Sequence, residues 1–184
     1  VCSSDLDSGA RGFSTAEDKL LNEKQLNLAI VLDASEKLKA LGADVSLIRT
    51  DDTTVSLDAR MAYLEAAEPD LSISIHQNSM GYSTDITRVR GVLPLYCADS
   101  GKLLADCVGG EIGRATGRYT RASQYQMLAL CRNPKFPQTL IEVGFITNAE
   151  EYEQMAVGRG ITQAADGVVN GVLRYFREMA AFAG

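Results

Sequence analysis

The chain has 184 residues, 46% hydrophobic and 23% charged, which excludes a disordered or fibrous chain and suffices to bury a full-sized core. Its formal net charge is −6 and its basic residues form no run, so it carries no footprint for a nucleic-acid partner. No stretch reaches the ~18 consecutive apolar residues of a membrane span, and no basic segment followed by an apolar run opens the chain as a secretory signal does.

Residues 1–19 are polar, glycine-containing and irregular. A helix is predicted over 25–41, where Ile30, Ala34, Leu38 and Leu41 recur every three to four residues, with Gly42 just past its end. Residues 44–49 are short and β-prone and predict a strand. After the polar TDDTT, Ser56 caps a helix over 57–67 that Pro69 closes. Residues 71–76 (LSISIH) alternate apolar and small polar side chains, as a half-buried strand does. A polar loop over 77–89 follows. Residues 91–97 predict a strand in which Pro94 points to an edge or a bulge.

A helix over 100–115 presents Leu103, Leu104, Cys107, Val108 and Ile112 inward. Residues 127–131 and 139–145 are two more apolar strands. Asn148 caps a short helix over 149–155, and the last helix runs over 161–181 with a stripe of Ile161, Ala165, Val168, Val169, Val172 and Phe176. The alternation of helices and strands implies an α/β fold with a largely parallel sheet. None of the four cysteines forms a C-x-x-C pair, which argues against a thiolate metal site; Cys97 and Cys131 each end an apolar run and read as buried thiols.

Three residues carry chemistry. His76, the one histidine, ends a predicted strand, and ligands of open α/β sheets gather beyond the carboxyl ends of the strands. Glu142 interrupts the apolar run TLIEVGF, where a carboxylate is costly unless paired or metal-bound. Glu23 opens a helix. Taken singly, each has a plainer explanation: a hydrogen-bonded histidine, an ion-paired glutamate, and an acidic residue favoured by a helix dipole.

Together their surroundings resemble one family. DSGARG (7–12), NEKQLNLAI (22–30), ADVSLIRTDDTTVSLDAR (43–60), PDLSISIHQNS (69–79) and LCRNPKFPQTLIEVGFITNAEE (130–151) resemble, in order, the segments of zinc-dependent N-acetylmuramoyl-L-alanine amidases of type 3. The resemblance implies a twisted mixed, largely parallel sheet flanked by helices on both faces, with a His-Glu-His zinc site. Glu23 matches the glutamate ligand, His76 the second histidine, and Glu142 the catalytic glutamate. Zn2+ is the implied cofactor and peptidoglycan the implied substrate, cut between N-acetylmuramic acid and L-alanine. The implied location is outside the cytoplasmic membrane, in a parent protein with room for separate wall-binding domains. Asn78 falls on the implied cleft without an assigned role.

One departure stands out. The family's first ligand is a histidine in a Gly-rich loop just before the segment matching DSGA; here VCSSDL stands there, with Ser3 near the ligand position. The expectation is a single domain over 1–184, truncated at its N-terminus, with 1–6 a non-native or disordered leader and the first strand missing. The alternative is a peptidoglycan-binding domain that has lost a zinc ligand and cuts poorly. A zinc carboxypeptidase, with Arg132 receiving a substrate carboxylate, fits the surrounding CRNPKFPQ less well.

Overall fold

The computed structural model describes residues 2–3, 10, 21–81, 85, 87–131, 133–156 and 159–183. Five strands, β1 (Cys2–Ser3), β2 (Ser72–Asn78), β3 (Leu93–Tyr96), β4 (Gln124–Tyr125) and β5 (Gln138–Phe145), form one sheet in the order β1-β2-β5-β3-β4. β1, β2 and β5 are mutually parallel, β3 is antiparallel to β5, and β4 is parallel to β3. The helices are α1 (Glu23–Ala40), α2 (Leu57–Ala67), α3 (Asp99–Thr116), α4 (Ala149–Ala156) and α5 (Arg159–Ala183).

The period of two along β2 and β5 divides their side chains between two unlike faces. Ile73, Ile75, Ile141 and Val143 join the main core, which α1, α3 and α5 cover with Ile30, Leu104, Ile112 and Val168 among others. Each such side chain contributes about 1.5–3 kcal/mol by leaving water. α5 crosses α3 closely: a Cβ added at Gly167 or Gly171 would run into the backbone of Ile112 or Val108. On the opposite face Leu95, Cys97, Cys131 and Leu140 make a small cluster, roofed by a 3-10 turn (Ala129–Cys131) on which α2 packs. Helices thus cover both faces, thickly on one and thinly on the other. The thin face carries Ser74, His76 and Glu142.

Several elements differ from the sequence expectation. Residues 44–49 form no strand. The buried Arg49 guanidinium donates to the carbonyls of Asp51 (2.7 Å) and Lys24 (2.9 Å), which ties the segment to its own turn and to α1. Residues 127–131 are not a strand either. Leu128 N donates to Cys97 Sγ at 2.9 Å, which draws that backbone out of the ladder and into the turn. Pro94 sits inside the sheet rather than at its edge, opposite Ile141. It is accommodated because β4 pairs only with Leu95 and Tyr96. On α5 the stripe passes from Val172 to Tyr175, 5% exposed, and leaves Phe176 at 48%.

At the N-terminus, Cys2 and Ser3 pair with Ser74 and Ile75. They form a short parallel strand at one edge of the sheet. The rest of 1–6, most of DSGARG and Arg132 lie outside the described residues. Ser56 and Asn148 cap as predicted, accepting from Ala59 N and Glu151 N at 3.2 Å each.

Candidate active site

β2 and β5 are in register from Ser72 and Gln138 onward, which sets His76 directly opposite Glu142. Neighbouring strands lie about 4.8 Å apart, so the two side chains rise side by side from the thin face. On the other flank of Glu142 stands Leu93 of β3. The ladder shifts register between His76 and Asn78, which ends the regular pairing just beyond the two residues.

Glu23, the first residue of α1, closes the site from the β2 side. Its Oε1 lies 3.2 Å from His76 Nδ1 and accepts from Gln77 N at 3.2 Å and Asn27 Nδ2 at 3.3 Å. Its Oε2 accepts from Ala10 N at 3.1 Å, while its own N–H donates to Ala10 O at 3.0 Å. A second link, Gln77 Nε2 to Asn27 Oδ1 at 3.2 Å, ties α1 to β2 behind it. The Glu23 carboxyl is only 6% exposed. Burial pushes its pKa up, but the hydrogen bond and charge of His76 and the Ala10 and Gln77 amides outweigh that and hold it below the usual value. Its place in the first turn of a helix also favours the charged form. His76 Nε2 lies 3.0 Å from Ser74 Oγ, so both ring nitrogens have polar neighbours and the ring orientation is held.

The structure thus brings all three predicted site residues together. Glu23 and His76 meet directly, and Glu142 adjoins His76 across the ladder. Asn78 turns its Oδ1 back to Ser79 N at 2.8 Å, and its backbone carbonyl receives Ile146 N. Its local role is to fix the strand end.

A carboxylate and an imidazole are donor types that zinc accepts. Two donors about 2.0–2.1 Å from one tetrahedral zinc lie about 3.3 Å apart. The 3.2 Å between Glu23 Oε1 and His76 Nδ1 matches that edge. The number of donors falls short, because the chain contains one histidine and no group of three potential ligands occurs among the described residues. Ser3, expected near the third ligand position, pairs with Ile75, one residue short of His76.

Sequence reasoning missed a buried pair behind the site. Glu151 accepts from Phe145 N and Gly91 N, both at 2.7 Å, tying the end of β5 to the approach to β3. Arg118 donates to Val143 O at 3.0 Å and Glu151 O at 2.7 Å, and its Nε lies 3.9 Å from Glu151 Oε1. An acidic residue in the first turn of α4 reads as a dipole partner in sequence, and nothing local distinguishes Glu151 from the exposed Glu150.

Residues 4–174 match the profile of a family described as N-acetylmuramoyl-L-alanine amidase. The chain is 31% identical over 173 residues to the N-acetylmuramoyl-L-alanine amidase LytC of Bacillus subtilis, which covers 94% of this chain and 34% of that protein. It is 30% identical over 170 residues to the uncharacterised Bacillus subtilis protein YqiI, covering 92% of the chain and 79% of that protein. Among solved structures it superposes on the catalytic domain of CwlV from Bacillus (Paenibacillus) polymyxa with a TM-score of 0.84 at 28% identity, covering 96% of each. It superposes on AmiC2 of Nostoc punctiforme with a TM-score of 0.85 at 27% identity, covering 96% of this chain and 95% of that one. The chain spans about a third of the first of these relatives.

Proposed function

The chain belongs to the N-acetylmuramoyl-L-alanine amidase family, and on that premise we propose that it hydrolyses the amide between N-acetylmuramic acid and the L-alanine of the peptidoglycan stem. The observation that carries the reading is the register of His76 with Glu142 beside the Glu23–His76 contact. It gathers a hydrolytic carboxylate and two zinc-type donors at one end of the sheet.

Zinc belongs to the same proposal, with Glu23 and His76 as two of its ligands. When bound, it supplies Lewis acidity that makes water nucleophilic near neutral pH and polarises the scissile carbonyl. Glu142 takes the proton from the attacking water and delivers it to the L-alanine nitrogen as the C–N bond breaks, acting as general base and then general acid. Its neighbours Ile141 and Val143 are fully buried on the opposite face, which commits its carboxyl to the site face. Ser74 orients the ring of His76, and the amides of Ala10 and Gln77 hold Glu23 charged.

On this reading the protein acts at the cell wall. Among the described residues no helix is long and apolar enough to cross a membrane. A second reading is a peptidoglycan-binding domain that cuts poorly, favoured by the single histidine.

Digestion of purified sacculi separates the two. The amidase reading expects new L-alanine amino groups without new reducing sugar ends, and loss of that release in Glu142→Gln. Pull-down by sacculi with no released amino groups, at saturating zinc, would leave the binding reading in its place.

A further inference from the structure

Arg121 lies at the same end of the sheet as Glu142 and has no part in the scheme above. Its N–H donates to Val92 O at 2.8 Å, and Val92 precedes Leu93, which stands opposite Glu142. Its guanidinium is fixed from two directions. Nε and Nη2 donate to Arg90 O at 3.2 and 3.0 Å, and Cζ lies 5.2 Å from the centroid of the Phe145 ring. Phe145 is the last residue of β5, three beyond Glu142 and in register with Asn78.

Among the described residues, three other cations near this end have carboxylate partners. Arg90 has Glu150, Arg88 has Asp85, and Arg118 has Glu151. Arg121 meets no carboxylate among the described residues, although the chain as a whole is acidic. One carbonyl occupies two of its five donors and the side chain is half-buried, so a planar fork remains for a ligand. That geometry suits a carboxylate, which such a fork grips through two parallel hydrogen bonds.

We propose that Arg121 is a specificity-determining residue that receives a free carboxylate of the stem peptide. The proposal rests on the peptidoglycan reading and sharpens it. Three residues of strand span about 10 Å, and an extended peptide covers that distance in about three residues. With the scissile amide at Glu142, a carboxylate on the second or third stem residue therefore comes within reach of Arg121. The chain then prefers stems whose second residue, glutamate, keeps its α-carboxylate over stems in which that group is an amide.

The test compares N-acetylmuramyl-L-alanyl-D-glutamate with N-acetylmuramyl-L-alanyl-D-isoglutamine, titrated against the full chain by calorimetry, alongside digestion of sacculi. The acid is expected to bind about tenfold more tightly than the amide. Arg121→Gln removes that ratio, and Arg121→Lys, which keeps the charge without the fork, retains part of it. Circular dichroism confirms that both variants fold; if Arg121→Gln does not, the Arg121→Lys ratio decides. Equal binding of both ligands by the wild type, binding of neither, or an unchanged ratio in the variants each overturns the role of Arg121. Sacculi digested without any ligand preference would leave the amidase reading standing alone. A preference without digestion would leave Arg121 standing and remove cleavage.

Discussion

His76 and Glu142 stand directly opposite each other on adjacent parallel strands. A slip of one residue would turn Glu142 into the apolar core and bring Ile141 or Val143 to the site face. The face that carries His76 and Glu142 is therefore specified by the same period of two that builds the core. The site is only as well placed as the register of β2 against β5.

Glu23 ties that register to α1, which gives it a structural role separable from metal binding. Its carboxylate serves the amides of Ala10 and Gln77, the Asn27 side chain and His76. Removing a buried acceptor costs about 1–3 kcal/mol for each donor left unsatisfied, with incomplete additivity. Glu23→Ala is expected to destabilise the metal-free chain by about 2–4 kcal/mol, and Glu23→Gln, which keeps an acceptor, by less. Thermal unfolding in the presence of a chelator measures this. Equal melting temperatures for wild type and Glu23→Ala would show that water serves those donors.

Glu151 and Arg118 are the second anchor. Glu151→Ala leaves the Phe145 and Gly91 amides without their acceptor and strands a buried guanidinium. Breaking a buried pair by deleting one partner costs about 3–5 kcal/mol. The double variant Glu151→Ala/Arg118→Met is expected to be less destabilised than the sum of the single changes, because the unpaired cation is gone. Denaturant unfolding of all four chains gives the coupling energy, and strict additivity would mean that the two side chains act independently.

Most of this architecture was legible in the sequence because it rests on short-range pattern. The alternation LSISIH gave β2 its face, Ser56 and Asn148 announced their helices, and Glu142 stood out inside an apolar run. Long-range pairing was not legible. Residues 44–49 have strand composition, but a strand also needs a partner, and the Arg49 side chain instead ties this segment to the carbonyls of Asp51 and Lys24. Residues 127–131 look apolar enough for a strand, yet the Cys97 thiol, 31 residues from Leu128, captures their backbone. Glu151 and Arg118 act through backbone groups distant in sequence, and Arg121 is defined by Phe145 and Arg90, so no local spacing could reveal any of them.

Cys107 offers a probe of the α3–α5 packing. Its thiol is fully buried, and burial together with the charge of Glu178 pushes its pKa up to about 11. Between the ordinary thiol pKa and that value the unfolded chain ionises while the folded chain stays protonated. The unfolded state then binds fewer protons, so this group's contribution to stability falls as pH rises through that window. At pH 8 the native thiol is neutral and inaccessible. Iodoacetamide is expected to label Cys107 only as fast as the chain unfolds, which peptide mass spectrometry reads against the denatured chain. Rapid labelling in the native state would mean that α3 and α5 separate readily.

Zinc retention follows from counting donors. Glu23 Oε1 and His76 Nδ1 have the spacing of two ligands on one tetrahedral ion, while three protein ligands is the usual complement of a catalytic zinc. With one histidine in the chain and no group of three among the described residues, a zinc ion would be held at two protein positions. The chain is expected to take up zinc at millimolar supply and to lose it on dialysis against a mild chelator. His76→Ala should abolish even the uptake, since one carboxylate then remains. Metal analysis before and after dialysis decides it. Near-stoichiometric zinc surviving the chelator would show that a further donor completes the site, and the ligand set would have to be enlarged beyond Glu23 and His76.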